Sequence, residues 1–120
     1  MKIAISSSGP TLDDRLDLRF GRAALFIVYD LDGDAFAVAD NTQNLEASQG
    51  AGIQAAQHVV NAGVGALVTG HTGPKAFKVL EAAKVPVFLA EGGTVREAIA
   101  AFRAGTLEAI VAADVEGHWV

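Results

Sequence analysis

Stretches rich in β-forming residues occur early in the chain and predict strands. They cover residues 2–7, 24–30 and 35–39, and the turn dipeptide Asp32-Gly33 separates the last two. A turn of this kind between two β-rich stretches is typical of a hairpin. We therefore expect three strands in this part, with the second and third paired antiparallel.

Helical periodicity appears in the rest of the chain and alternates with short apolar runs. Apolar spacing predicts helices over 50–62, 74–83 and 95–104, and the apolar runs 65–69 and 85–89 predict strands. Strand–helix–strand units connect parallel strands by right-handed crossovers. The whole pattern, β-β-β-α-β-α-β-α, predicts an α/β fold: a mixed five-stranded sheet with one antiparallel strand, flanked by helices.

The segments between these elements are predicted loops and ends. Residues 11–22 contain three Asp and three Arg, and a loop of about 12 residues is more often functional than a short connector. Ser48 is the expected N-cap of the first helix. Residues 110–113 are expected to add a short strand or lie as a tail, and residues 116–120 to form a frayed end.

Composition narrows the function of this single predicted domain, residues 1–120. A net charge of -5 argues against a general nucleic-acid binder. The longest apolar run is strand-sized and the apolar start at Met1 turns polar at Ser6, so we expect no membrane span, no secretory signal and a cytoplasmic location. The absence of cysteine removes disulfides, thiolate nucleophiles and cysteine-ligated metals.

Three loops of small residues follow predicted strands, at residues 6–10, 70–75 and 90–94. In open α/β sheets, ligands bind beyond the carboxyl ends of the parallel strands. The three loops therefore predict one shared crevice.

The central loop leads into a helix through Gly73, Pro74 and Lys75. Proline suits the first position of a helix, and the free N–H groups there favour an anion, to which Lys75 would add charge. A plain strand-to-helix turn with a surface lysine explains the same residues. The loop is not a P-loop, because Lys75 is followed by Ala76 rather than Ser or Thr.

Other candidate ligand contacts flank this loop. His71 is either a metal ligand or proton carrier, or an exposed polar residue. The three arginines of the loop 11–22, among them Arg19 and Arg22, offer guanidinium groups to an oxyanion or thioanion. The alternative is a loop that is held together by its own three aspartates. Gly50 and Gly52 each weaken the first helix by roughly 1 kcal/mol relative to alanine. Close approach of a ligand to the backbone, or tight packing, would explain that cost.

Catalytic constellations are not evident in the sequence. The serines at 6–8 lack the Gly-x-Ser-x-Gly elbow of a hydrolase nucleophile. No carboxylate pair stands in a motif, and no general base has an orienting partner. We therefore expect a binding protein rather than an enzyme.

Three ordered segments resemble one known family. They are Asp-Leu-Arg-Phe-Gly-Arg-Ala at 17–23, Gln-Gly-Ala-Gly-Ile-Gln-Ala-Ala at 49–56, and Thr-Gly-His-Thr-Gly-Pro-Lys-Ala-Phe at 69–77. The sequence is similar to the dinitrogenase iron-molybdenum cofactor-binding family, which includes NifX and the C-terminal domain of NifB. The resemblance extends from Lys2 to about Ala113 and is greatest to the orange-protein type.

The resemblance implies a ribonuclease H-like fold without nuclease activity. It also implies non-covalent, reversible binding of an anionic molybdenum-containing metal–sulfur cluster. The cargo would be a molybdenum–copper sulfide cluster or, alternatively, an iron–molybdenum cofactor precursor. The contacts expected are Arg19, Arg22, Gly50, Gly52, His71, Gly73 and Lys75, with His71 the candidate metal ligand.

One position departs from the family pattern. Nitrogenase-associated relatives often have His before Phe-Gly, where this chain has Arg19. An imidazole ligand is therefore not available at that position, which favours the orange-protein type. The expected partners are the cluster and either a partitioning-type ATPase or a cluster-recipient protein. The alternative function is a regulatory or interaction module of the same fold without a cluster, linked to cell-division or partitioning ATPases.

Overall fold

Six strands form one sheet in the computed structural model, which describes residues 1–41 and 51–110. Their order across the sheet is β3-β2-β1-β4-β5-β6. The strands are β1 (Lys2–Ser7), β2 (Leu25–Asp30), β3 (Ala35–Asp40), β4 (Ala66–Thr69), β5 (Val87–Leu89) and β6 (Glu108–Ile110).

Strand directions confirm the mixed sheet and the hairpin. β1, β4 and β5 are parallel neighbours, whereas β2 is antiparallel to both β1 and β3. The order β3-β2-β1-β4-β5 with β2 reversed is the ribonuclease H-like arrangement that the resemblance implied.

A sixth strand corrects the predicted count of five strands with one antiparallel. β6 pairs antiparallel with β5, placing Glu108 opposite Leu89 and Ile110 opposite Val87. It begins earlier than the predicted strand at 110–113, because the preceding helix ends at Gly105 in the left-handed conformation and the chain turns back at once. Residues 111–113 lie outside the described residues.

Helices cover both faces of the sheet, as the periodicity predicted. They are α1 (Ala51–Asn61), α2 (Pro74–Ala82) and α3 (Val95–Ala104). α1 and α2 pack with Ala4 of β1 on one face, and α3 packs with Ile3 and Ile5 on the other. This alternation follows from the two-residue period of a strand. The predicted cap Ser48 lies outside the described residues.

Two consequences of this architecture matter for function. The parallel strands β1, β4 and β5 end at the same side of the sheet, here called the carboxyl edge, at Ser7, Thr69 and Leu89.

The longest helix in the described ranges has 11 residues, far from the roughly 20 apolar residues that a bilayer requires. Accordingly, none of the described helices could cross a membrane.

Candidate functional site

The loop 11–22, here called the arginine loop, lies across the carboxyl edge and joins the ends of its strands. The N–H of Asp17 donates to the carbonyl of Ser6 at 2.9 Å, and the N–H of Leu16 donates to the carbonyl of Gly93 at 2.9 Å. The first contact is with β1 and the second with the loop between β5 and α3. The backbone of the arginine loop thus connects two of the predicted small-residue loops. The shared crevice itself stays a prediction, because of the three loops only the central one lines the cleft described below.

Arg19 and His71 are neighbours at this edge. They form an isolated parallel bridge, in which the N–H of His71 donates to the Leu18 carbonyl at 2.7 Å. The N–H of Phe20 donates to the His71 carbonyl at 3.0 Å. Both bridged residues are exposed. Two contacts predicted separately therefore lie side by side on the surface.

Gly70 permits this bridge by lacking a side chain. A Cβ atom there would lie 2.5 Å from the carbonyl oxygen and 2.7 Å from the Cα of Leu18. Backbone atoms cannot move aside as a flexible side-chain end can. The glycine before His71 is thus required by the approach of the arginine loop, a role that the sequence did not indicate.

Phe20 anchors the arginine loop to the core. Its side chain is fully buried, and its ring centroid lies 5.3 Å from that of Phe26. It begins a short 3-10 helix, Phe20–Arg22. Gly21 in that helix packs on the first turn of α1, since a Cβ on Gly21 would lie 3.0 Å from the backbone nitrogen of Gly52. The arginines on either side are thereby held close to α1.

A cleft of about 690 Å³ lies between the first turns of α1 and α2. Its walls are Gly52, Ile53, Thr72, Gly73, Pro74, Lys75 and Ala76. Three of the predicted contacts, Gly52, Gly73 and Lys75, thus line one cavity. Arg19, Arg22 and His71 do not line it, although His71 immediately precedes its wall. Gly50 lies outside the described residues.

The start of α2 is open toward this cleft. Its N-cap, Gly73, has φ 79° and provides no side-chain cap, and Pro74 has no N–H. The N–H groups of Lys75 and Ala76 have no acceptor within the first turn, and the described residues supply none. These groups therefore remain available to an anion.

The start of α3, at the same edge, is closed by the protein itself. Thr94 and Glu97 form a complete capping box. The N–H of Val95 donates to the Asp14 carbonyl at 2.9 Å, and the N–H of Arg96 donates to the Leu12 carbonyl at 2.8 Å. At this edge, the described part of the chain thus supplies hydrogen-bond acceptors to the first N–H groups of α3 and none to those of α2.

The aspartates of the arginine loop brace its backbone more than they hold its arginines. A carboxylate oxygen of Asp14 accepts from the N–H of Thr11 at 2.8 Å. Asp17 accepts from the N–H of Arg19 at 2.9 Å, whereas the Nε of Arg19 is 3.5 Å away and its side chain is 74% exposed. Such an exposed pair contributes little to stability. The alternative, a loop held by its own carboxylates, is therefore correct in one respect: these carboxylates hold the backbone of the loop.

The third aspartate pairs outside the loop. Arg96 of α3 donates from Nε to Asp13 at 2.9 Å, and this hydrogen bond lowers the pKa of the Asp13 carboxyl. Lys75 has no ion pair within the part of the chain that the structure describes. Its positive charge is thus available beside the open start of α2.

Metal-ligating side chains do not cluster in residues 1–41 and 51–110. No group of three His, Asp or Glu residues comes together there, so His71 is not part of a preformed three-ligand metal site among these residues. His58 lies in α1, where its Nδ1 is 3.3 Å from the Oδ1 of buried Asn41. This contact gives the His58 side chain a structural role beside Asn41.

Ser6 and Thr69 form a feature that sequence reasoning missed. Both side chains are fully buried at the carboxyl edge, with Oγ and Oγ1 2.7 Å apart. The available signal was a hydroxyl residue near the end of each of two apolar strands. No local pattern pairs the two residues, because they are 63 positions apart and meet only through the pairing of β1 with β4.

Comparisons with known proteins agree with the three-segment resemblance. The sequence model of the family described as "Dinitrogenase iron-molybdenum cofactor" matches residues 1–105. The apo form of the orange protein from Desulfovibrio gigas is similar in structure, with a TM-score of 0.89, 44% identity and 92% of each chain covered.

Two further relatives cover most of the chain. A candidate NifB protein from Thermotoga has a TM-score of 0.80 and 41% identity, over 90% of this chain and 91% of that one. An uncharacterized protein from Methanocaldococcus jannaschii is 29% identical over 110 residues, which is 90% of each chain.

Proposed function

Because the chain belongs to the dinitrogenase iron-molybdenum cofactor family, we propose that it binds and carries an anionic molybdenum-containing metal–sulfur cluster. The family and the similarity to the orange protein support a cluster-binding role. We propose a molybdenum–copper sulfide cluster as the cargo, with an iron–molybdenum cofactor precursor as the alternative of the same class. The protein holds this cargo reversibly, through charge and hydrogen bonds apart from the one proposed His71 ligand, and catalyses no reaction on it.

The observation that carries the proposal is the open start of α2 in the cleft. It combines free N–H groups with the charge of Lys75, and the apolar walls of Ile53 and Pro74 suit a polarizable sulfide surface. The volume falls in the range of ligand pockets, roughly 300–1,000 Å³. A metal sulfide brings its own sulfur ligands, so a chain without cysteine can hold it through charge and N–H donors.

Each predicted contact has a proposed role in this arrangement. Lys75 and the α2 N–H groups compensate the negative charge of the cluster, and Arg19 and Arg22 do so from the arginine loop. Gly52, Gly73 and, from the sequence, Gly50 let the backbone approach the cluster. His71 is the proposed direct ligand to a metal at the cluster surface.

Reconstitution tests the proposed function. Apo-protein mixed with tetrathiomolybdate and copper should, after gel filtration, retain visible charge-transfer bands that differ from those of the protein-free mixture. Bands identical to the protein-free mixture, or lost on the column, would contradict the proposal. The cluster-free interaction module would then be the function to test.

Lys75→Gln should weaken cluster binding roughly 10- to 100-fold, since a hydrogen bond to a charged group contributes about 1.5–3 kcal/mol. Raising the salt concentration to 1 M should reduce the cluster affinity of this variant by a smaller factor than that of the wild type. At that concentration charges are screened beyond about 3 Å, and the variant has one charge fewer to lose. Titration of each variant by visible absorption measures both effects. Lys84→Gln, in a residue that lines a different cavity, is the matched control; equal losses in both variants would exclude a specific role for Lys75.

Gly52→Ala should stabilise the fold and impair cluster binding. Replacing a helical glycine adds about 0.4–1 kcal/mol of stability where the backbone is compatible. The new Cβ would lie 3.4 Å from the Cβ of Ala76 and 3.7 Å from the carbonyl oxygen of Thr72, in ordinary contact but on the cleft wall. Thermal melting and cluster titration measure the two effects, with the exposed Gln57→Ala in the same helix as control. A stabilised variant with wild-type affinity would show that Gly52 does not provide access.

A further inference from the structure

Two hydroxyl groups are buried where β1 and β4 reach the carboxyl edge. Ser6 and Thr69 are each 0% exposed, and their oxygens are 2.7 Å apart. Their neighbours along the two strands, Ile5 and Val68, belong to the apolar core. A polar group in such surroundings is costly unless it is hydrogen-bonded, so the direction of each bond matters.

The two hydroxyls form a chain with one direction. Ser6 Oγ donates its only proton to the carbonyl oxygen of Asp17 at 2.6 Å, and a carbonyl can only accept. The hydroxyl of Thr69 must therefore donate to Ser6 Oγ. The chain runs from β4 through β1 into the arginine loop.

Ser6 holds Asp17 through both backbone polar groups of that residue. Its Oγ donates to the Asp17 carbonyl, and its own carbonyl accepts from the Asp17 N–H at 2.9 Å. Asp17 in turn accepts from the N–H of Arg19 through its carboxylate at 2.9 Å. Asp17 and Thr69 each lie two residues before a member of the Arg19–His71 bridge. The hydroxyl chain thus ties together the two segments that carry these residues.

We propose that Ser6 and Thr69 are positioning residues of the cluster site, which set the placement of Arg19 relative to His71. This role rests on the proposed function. Stability alone accounts for only part of this arrangement. Replacing both hydroxyl residues by apolar ones removes their mutual bond at little cost, and only the Asp17 carbonyl, which is part-buried, loses a donor. A Ser–Thr pair also contributes something that Ala and Val cannot: a fixed attachment point for the Asp17 carbonyl.

Four variants separate positioning from stability: Ser6→Ala, Thr69→Val, Thr69→Ser and the double variant Ser6→Ala/Thr69→Val. Ser6→Ala should be the least stable, because it leaves the Thr69 hydroxyl without its acceptor. The double variant should recover part of that loss, since the stranded hydroxyl is gone. Thr69→Ser keeps the chain and should bind the cluster as the wild type does, with only a small loss of stability from the deleted buried methyl group.

Cluster affinity should follow the attachment of Asp17 rather than stability. We expect a fall of roughly 10- to 100-fold in Ser6→Ala and in the double variant, the size typical of lost outer-shell partners. Thr69→Val keeps the Ser6–Asp17 bond and should therefore lose less cluster affinity than Ser6→Ala. It should also remain folded, so that it can be measured even if Ser6→Ala does not fold. Hydrogen exchange at the amides of His71 and Phe20 should rise in the double variant and stay unchanged at the start of α3.

The outcomes are distinguishable. If the affinity of the double variant recovers together with its stability, the pair is merely structural and the positioning role is overturned, while the proposed function stands. Wild-type affinity in Ser6→Ala would overturn the positioning role in the same way. If the wild-type protein binds no cluster, the proposed function fails and the positioning role fails with it.

Discussion

Phe20→Ala should lower the free energy of unfolding by about 3–5 kcal/mol, the cost typical of truncating a buried phenylalanine. Phe20 is fully buried and its ring packs against that of Phe26 at 5.3 Å between centroids. The loss is large for a domain whose total stability is of order 5–15 kcal/mol. Urea unfolding of both proteins under the same conditions measures it.

Phe36→Ala is the matched control for this variant. Phe36 lies on the edge strand β3 and is 43% exposed, so its truncation should cost less than about 1.5 kcal/mol on the scale of burial energies. Equal costs for the two variants would contradict the anchoring role of Phe20.

Phe20→Ala should also affect the site, because Phe20 holds the short 3-10 helix between Arg19 and Arg22. At a urea concentration where the variant is still folded, we expect its cluster affinity to be below that of Phe36→Ala. Visible titration of the two variants at matched folded fractions makes the comparison. An affinity equal in both would show that the arginines find their places without the anchor.

Much of the fold could be predicted because its elements carry local signals. The hairpin follows from Asp32-Gly33 between two β-rich runs, and the helices from apolar spacing. β6 could not be placed in the same way. Glu108 and Ala109 are exposed and show no apolar alternation, so the strand exists through its backbone pairing with β5. Such pairing depends on where α3 ends in space.

The sequence indicates which segments form the candidate site but not how these segments contact one another. The three motifs drew attention to Arg19, Gly52 and Lys75, and the structure adds their surroundings. The partner of Asp13 is Arg96, far along the chain rather than within the arginine loop. A contact of this kind depends on the placement of α3 over the loop, which no local pattern encodes.

The two helix starts show the same limit. Thr94 and Glu97 form a capping box that can be recognised in the sequence. Gly73-Pro74 gives a helix start as well, yet its openness depends on which carbonyls approach from the arginine loop. That loop satisfies the N–H groups of α3 and leaves those of α2 free. The availability of a helix start to a ligand is therefore a property of the tertiary structure.

Gly70→Ala should destabilise the protein by about 2–4 kcal/mol, combining overpacking with weakened backbone hydrogen bonds. The added Cβ would lie 2.5 Å from the Leu18 carbonyl oxygen. That oxygen accepts the 2.7 Å bond from the N–H of His71. Because φ of Gly70 is not positive, alanine suits its backbone conformation and the cost is steric. Relief requires the arginine loop to move away from His71.

Gly65→Ala provides the control, since it adds the same methyl group just before the same strand, β4. Its Cβ would meet the Cε of Met1 at 3.0 Å, the end of a flexible and exposed side chain that can turn away. We expect a change within about 1 kcal/mol, as for most substitutions that avoid the core. Urea unfolding compares the two alanine variants directly. A Gly70→Ala variant as stable as Gly65→Ala would mean that the arginine loop shifts at little cost, and that the Arg19–His71 bridge is not held by close backbone contact.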